Sequence, residues 1–131
     1  MTKEKSQSIL EDLKKAFLRL REALDLPKTQ ISRDATIQRF EFTFELSWKL
    51  MQTILKDNSI EAYGPKNAIR ESAKLSLIDD PSKWFEFLEA RNQIAHTYND
   101  KLADDVYNKA NEFIMYLQVY LAKAEEYFRE G

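Results

Sequence analysis

Residues 40–48, Phe-Glu-Phe-Thr-Phe-Glu-Leu-Ser-Trp, alternate apolar and polar side chains without a break. Taken alone, Phe40, Phe42, Phe44, Leu46 and Trp48 form one face of a half-buried β-strand. The surrounding sequence decides otherwise. No glycine or proline interrupts the chain from Lys28 to Tyr63, and Ile37, Phe40, Phe44, Trp48, Met51 and Leu55 recur at steps of three and four. At about 100° per residue, Phe42, Leu46 and Leu50 fall on a second apolar face. The polar wedge is narrow: Gln38, Glu41, Glu45, Lys49, Gln52 and Lys56. The spacing predicts a helix over about 33–57. A helix apolar around most of its girth sits centrally in a bundle, or lines a subunit interface as well as the core.

Outward from this segment the helical pattern continues. Upstream, Ile9, Leu13, Phe17, Leu20 and Leu24 make one stripe of a helix over about 4–25, closed by Pro27. Downstream, Gly64-Pro65 opens a short helix to about Leu75, with proline in the first turn. Asp80-Pro81 pairs an N-cap with a helix-starting proline, and that helix is expected to run to about His96. After Asn99-Asp100, Leu102, Val106, Ala110, Phe113, Leu117, Tyr120 and Ala124 form a heptad-like seam in a helix over about 101–129. At 1.5 Å per residue that helix is roughly 40 Å long. The expected fold is all-α: an up-and-down four-helix bundle with one extra short helix, one domain over 1–131.

Composition removes whole classes of function. Apolar residues make up 44% of the 131 residues, enough for a core, so wholesale disorder is excluded. Of two glycines only Gly64 is internal, so no glycine-rich phosphate loop can be written. There is no cysteine and one histidine, His96, which excludes a disulfide scaffold, cysteine chemistry and a zinc site built on two histidines of one chain. No residue cluster demands a metal or cofactor; Asp79-Asp80 and Asp104-Asp105 read as helix starts. The net charge of -2 gives no global attraction to nucleic acid or to a membrane. With no apolar run behind the N-terminal lysines and none long enough to span a bilayer, a cytoplasmic location is expected.

Two features remain for chemistry. Arg91 falls inside the apolar stripe of the fourth helix, within about 20° of Trp84 and Ala95. A charge there must be paired or put to use, because burying it alone is very unfavourable. Pairing with a carboxylate of the second helix such as Glu45 is one reading; His96 would then be a polar residue near a helix end. On one straight helix His96 lies about 140° round from Arg91, so fraying at the helix end, arginine's length, or a second copy of the helix across a dimer axis is needed to aim both at one point. The other feature is Lys66, Arg70 and Lys74, a basic stripe at i, i+4, i+8 on the third helix. It is either a solvated face or a seat for phosphates or an acidic partner.

Arg91 to Tyr98, RNQIAHTY, has the form Arg-x4-His-x-Tyr. It resembles the signature of HEPN-superfamily toxins found in pairs with minimal nucleotidyltransferases. FEFTFELSWKLM (40–51), GPKNAIRESAKLSLI (64–78) and the helix from Trp84 to Tyr98 are similar, in order and spacing, to the subgroup long called nucleotidyltransferase substrate-binding proteins. The resemblance covers about residues 33–115. It departs at Ser76, where many relatives have glycine before Leu-Ile. It implies a dimeric helical bundle and a minimal nucleotidyltransferase partner encoded nearby. In the toxin members two protomers juxtapose their Arg–His motifs and cut RNA without metal. By that analogy His96 is general base toward a ribose 2′-OH, Arg91 stabilises phosphorane charge, and Tyr98 is the tyrosine nucleotidylated to silence the toxin. The alternative is a non-catalytic subunit that binds substrate for, or regulates, a nucleotidyltransferase. The acidic balance favours the second reading; intact Arg91, His96 and Tyr98 favour the first.

Overall fold

The computed structural model describes residues 3–130. Five α-helices appear in order: α1 (Lys3–Asp25), α2 (Gln30–Asp57), α3 (Gly64–Lys74), α4 (Pro81–Asn92) and α5 (Asp100–Glu130), with a short 3-10 helix (Ile94–His96) between the last two. No strand occurs among the described residues. FEFTFELSW lies wholly within α2, so the strand-like alternation is overruled by the longer helical period.

Contacts between elements define the directions. Ser6 at the start of α1 donates to Asp57 at the end of α2 (2.7 Å), so these two are antiparallel. Arg33 meets Asp100 at one end, and Asn58 meets Tyr127 at the other, so α2 and α5 are parallel. Glu86 pairs with Lys109, and Trp84 stacks edge-on against Tyr120, so α4 runs against α5. In chain order α1, α2, α4 and α5 therefore go up, down, up, down, with α3 inserted between α2 and α4. α2 touches all four other α-helices. Its girth of apolar residues is thus largely consumed inside the chain: Phe40, Phe44, Leu50, Met51, Ile54 and Leu55 are fully buried. Phe42, Leu46 and Trp48 remain half-exposed.

The core is an aromatic cluster. Phe113 of α5 packs edge-on against Phe40 (5.3 Å between ring centroids), Trp84 (5.4 Å) and Phe87 (5.1 Å). These tilted pairings place ring edges against ring faces, the favoured arrangement of their quadrupoles. On α1 the deepest line is Leu10, Leu13, Ala16, Leu20 and Ala23; Ile9, Phe17 and Leu24 of the expected stripe flank it, half-buried. Small alanines at Ala16 and Ala23 allow close approach to α2, where Thr43 lies within reach of the Ala16 carbonyl.

Helix ends follow local chemistry. α2 starts at Gln30, earlier than the apolar period suggests, because Thr29 and Ser32 form a reciprocal capping box. α2 and α3 both end in a Schellman motif: Ile60 N–H bonds Leu55 O, and Leu77 N–H bonds Ser72 O. The left-handed residues in these motifs are Ser59 (φ 62°) and Ser76 (φ 61°), positions where glycine carries no steric penalty. α4 ends at Asn92, four residues short of His96. From there the chain tightens into i→i+3 bonds, His96 N–H to Gln93 O (2.9 Å) and Thr97 N–H to Ile94 O (3.1 Å).

Candidate functional site

Arg91 stands on the last turn of α4, where α4 crosses the middle of α2. Its Nε donates to Glu45 Oε2 (2.5 Å) and its Nη1 to Asn92 Oδ1 (3.0 Å). Trp48 Nε1 donates to the other Glu45 oxygen (3.0 Å). One carboxylate thus holds an arginine and an indole, and Arg91 has the partner that a charge on an apolar stripe requires. The pair is not sealed: Arg91 and Glu45 side chains are 25% and 30% exposed. Nη2 of Arg91 has no hydrogen-bond partner among the described residues, so its donors are free. Beside the pair, an open cavity of about 500 Å³ runs between α1 and α2. Ala16, Phe42 and Leu46 form its apolar lining; Lys15, Arg19 and Lys49 bring positive charge to it, and Asp12 and Glu45 negative.

His96 closes the 3-10 helix and is exposed. The break after Asn92 turns it off the continuous α4 wheel, so the angular separation of a single straight helix does not apply. Its ring lies edge-on to Tyr98, 6.4 Å between centroids. Tyr98 is 86% exposed, the most exposed large aromatic side chain described. Thr97 Oγ1 donates to Ile94 O (2.7 Å), and Asn99 N–H bonds His96 O, which knits the turn. Asn99 Oδ1 then caps α5 by accepting from Leu102 N–H (3.1 Å). His96 and Tyr98 therefore share the turn that leads from Arg91, at the end of α4, to the start of α5.

The basic stripe is elsewhere. Lys66, Arg70 and Lys74 lie on the outer side of α3, all three exposed. Arg70 donates to Asn67 (2.9 Å) and Lys74 pairs with Glu71 (3.2 Å), so two of the three are engaged on their own helix. Leu75, next after Lys74, borders a cavity with Asn58 and Tyr127, at the opposite end of α2 from the His96 turn. No hydrogen bond or ion pair among the described residues joins the stripe to Arg91, His96 or Tyr98. Asp80 is an N-cap, accepting from Lys83 N–H (3.3 Å); the Ser82 hydroxyl bonded to it holds its carboxyl below the ordinary value. Among the described residues no three of His, Asp and Glu are grouped so as to hold a metal ion, and no helix is long and apolar enough to cross a membrane.

Sequence reasoning missed Arg33. It is the one charged side chain among the described buried residues. It donates from Nε to Asp34 (3.2 Å), from Nη1 to Asp104 (3.2 Å) and from Nη2 to Asp100 (3.1 Å). Lys28 joins Asp104 at 3.2 Å and lies over the Tyr107 ring. Hydrogen bonds from Lys28, then Arg33, hold the Asp104 carboxyl below its ordinary value. The signal was available: Arg33, Ile37, Phe40 and Phe44 follow one helical stripe, so Arg33 is misplaced in the same sense as Arg91.

A helical bundle with an exposed Arg-x4-His-x-Tyr turn at one end is the class that fold and site define. The sequence matches the family described as nucleotidyltransferase substrate binding protein like over residues 8–126, and the chain belongs to that family. It is 39% identical, over 84 residues, to a Haemophilus influenzae protein named Probable ribonuclease HepT. That match covers 60% of this chain and spans 58% of the relative's length. Two solved structures share the fold at 30% identity. A Thermus thermophilus protein superposes with a TM-score of 0.81, covering 86% of this chain and 98% of that one. A Haemophilus influenzae protein, solved as the fold of a substrate binding domain of a nucleotidyltransferase, superposes with a TM-score of 0.79, covering 88% and 98%.

Proposed function

We propose that this chain is a metal-independent endoribonuclease toxin, silenced by a partner minimal nucleotidyltransferase that modifies Tyr98. The observation that carries the reading is the exposed turn that sets His96 and Tyr98 side by side at the end of the helix bearing Arg91. His96 takes the proton from a ribose 2′-OH, and the 2′-oxygen attacks the adjacent phosphorus. The 5′-oxygen leaves with a proton, giving a cyclic phosphate end. Arg91 offers its open guanidinium edge to the non-bridging oxygens as negative charge builds on the phosphorane. The relative named as a probable ribonuclease supports this reading. A homodimer supplies the second Arg–His motif, with α4 and the half-exposed Phe42, Leu46 and Trp48 of α2 at the interface. Lys15, Arg19 and Lys49 line the same cavity as Glu45, the partner of Arg91, and offer an RNA backbone a seat there; Lys66, Arg70 and Lys74 on α3 offer a second.

Nucleotide transfer to the Tyr98 hydroxyl, with pyrophosphate released from ATP, puts a phosphodiester beside His96. That phosphate pairs with Arg91 and fills the place of an RNA phosphate. Three measurements test the reading. The purified chain cuts RNA in the presence of a chelator. Incubation with the nucleotidyltransferase, ATP and Mg²⁺ adds one nucleotide mass, and Tyr98→Phe abolishes the addition. Sedimentation shows a dimer at micromolar concentration. A chain that cuts no RNA and is harmless when expressed alone is instead the substrate-binding subunit of a nucleotidyltransferase, the reading favoured by the solved Haemophilus relative.

A further inference from the structure

We propose that Arg33 is a positioning residue: through Asp100 and Asp104 it fixes the turn carrying His96 and Tyr98 relative to Arg91. This rests on the assignment of His96 made above.

Arg33 is a poor choice for α2 taken by itself. It sits in the first turns of that helix, where the macrodipole disfavours a cation, and its side chain is 9% exposed. All three guanidinium nitrogens donate to carboxylates, and two of those carboxylates belong to the start of α5. Its bonds therefore act between helices. Asp100 follows Tyr98 by two residues, and Asn99 between them is the α5 cap. The turn itself is held by short-range bonds, and its imidazole makes no hydrogen bond among the described residues. Ile94 of the turn packs against the core; beyond that contact, what orients His96 is where the turn begins and where it ends.

Both ends are tied to α2. The beginning is tied at Glu45 through Arg91, and the end at Arg33 through Asp100 and Asp104. Glu45 and Arg33 are twelve residues apart, about 18 Å along one rigid helix. α2 therefore sets the distance that the chain from Arg91 to Asp100 must span. Releasing the Arg33 tie leaves Arg91 in place and lets the turn drift. Misplacement by about 1 Å is enough to lower a rate by about a hundredfold.

The composition of the chain makes the test direct. It has one histidine and two tryptophans, so NMR shows one imidazole and two indole N–H signals. Trp48 reports the Glu45–Arg91 tie and Trp84 reports the core. In Arg33→Met the stem is kept and the donors are lost. The expected result is a shifted and broadened His96 imidazole signal with both indole signals unmoved. RNA cleavage falls about tenfold to a hundredfold in kcat, with KM within about twofold. Arg33→Lys restores part of both effects. Asp100→Asn, at a side chain 79% exposed, removes one tie without touching the core and gives a smaller change of the same kind. If Arg33→Met does not fold, Asp100→Asn decides. An unmoved imidazole signal in a folded variant overturns the proposal. The NMR result stands whether or not the wild type cuts RNA, so failure of the nuclease reading and failure of the positioning role are told apart.

Discussion

His96→Ala separates chemistry from architecture more sharply than any other single change. The imidazole is exposed, ends a three-residue 3-10 helix and makes no side-chain hydrogen bond among the described residues. Its one aromatic neighbour, Tyr98, is 6.4 Å away and itself exposed. Removing such a side chain shifts stability by no more than about 0.5 kcal/mol. For a chain of this size that is a change in Tm of about 2 °C. Loss of a general base lowers the rate about 10²–10⁴-fold, or about 3–5 kcal/mol in barrier height. The effect on the transition state is therefore at least about fivefold larger than the effect on folding. The assay pairs urea unfolding, followed by circular dichroism, with initial rates of RNA cleavage in chelator. A fall in rate of less than about tenfold refutes the role of His96. So does a fall that follows the loss of folded protein.

Phe113→Ala removes the ring shared by Phe40, Trp84 and Phe87, and is expected to destabilise by about 3–5 kcal/mol in urea titration; a loss under about 1.5 kcal/mol would mean the cluster repacks. Ser59→Gly and Ser76→Gly relieve left-handed backbone at two Schellman caps, and each should raise stability by about 0.5–1 kcal/mol, seen as about 2–4 °C in Tm. Asp104 is held below its ordinary value by Lys28 and then Arg33, so its contribution is present above the unfolded pKa of about 3.9 and lost as pH falls through the lower folded value. Tm should therefore drop below about pH 4, and Asp104→Asn should flatten that drop; an unchanged acid limb contradicts the assignment. Tyr120 is fully buried and burial pushes its hydroxyl well above the ordinary value, so stability should fall again as pH rises past about 10, and Tyr120→Phe should blunt that alkaline loss in the same melts.

The helices were legible wherever apolar spacing had many residues in which to repeat. The α5 seam from Val106 through Ala124 is buried as spaced. α2 could be told from a strand because its period holds for nineteen residues, Ile37 to Leu55, while the alternation holds for nine. What was not legible depends on bonds between distant residues. The end of α4 at Asn92 has no glycine or proline to mark it; it is set by i→i+3 bonds in a turn whose ends are tied elsewhere. The early start of α2 came from the Thr29–Ser32 reciprocal cap, a pair that carries no apolar signal. Glu45 was nameable as a partner for Arg91 because both lie on stripes that face one another. Arg33 was equally anomalous, but its partners Asp100 and Asp104 looked like ordinary helix-starting acids, and that explanation hid the tie.

The placement of Tyr98 bears on how such a site can be switched. Phe113, Trp84 and their neighbours hold the fold from the middle of the bundle, whereas Tyr98 projects from the end with most of its surface in water. Adding a nucleotide there displaces no core side chain and asks no helix to move. The ring already stands beside His96, so the added group enters the surroundings of that imidazole directly. Control by refolding would have to break aromatic packing worth several kcal/mol. Control by occupying the site opposes none of that packing. A modification expected to act in this second way leaves the melting curve of the chain unchanged while abolishing cleavage, and a Tm displaced by several degrees on nucleotide addition would point to the first.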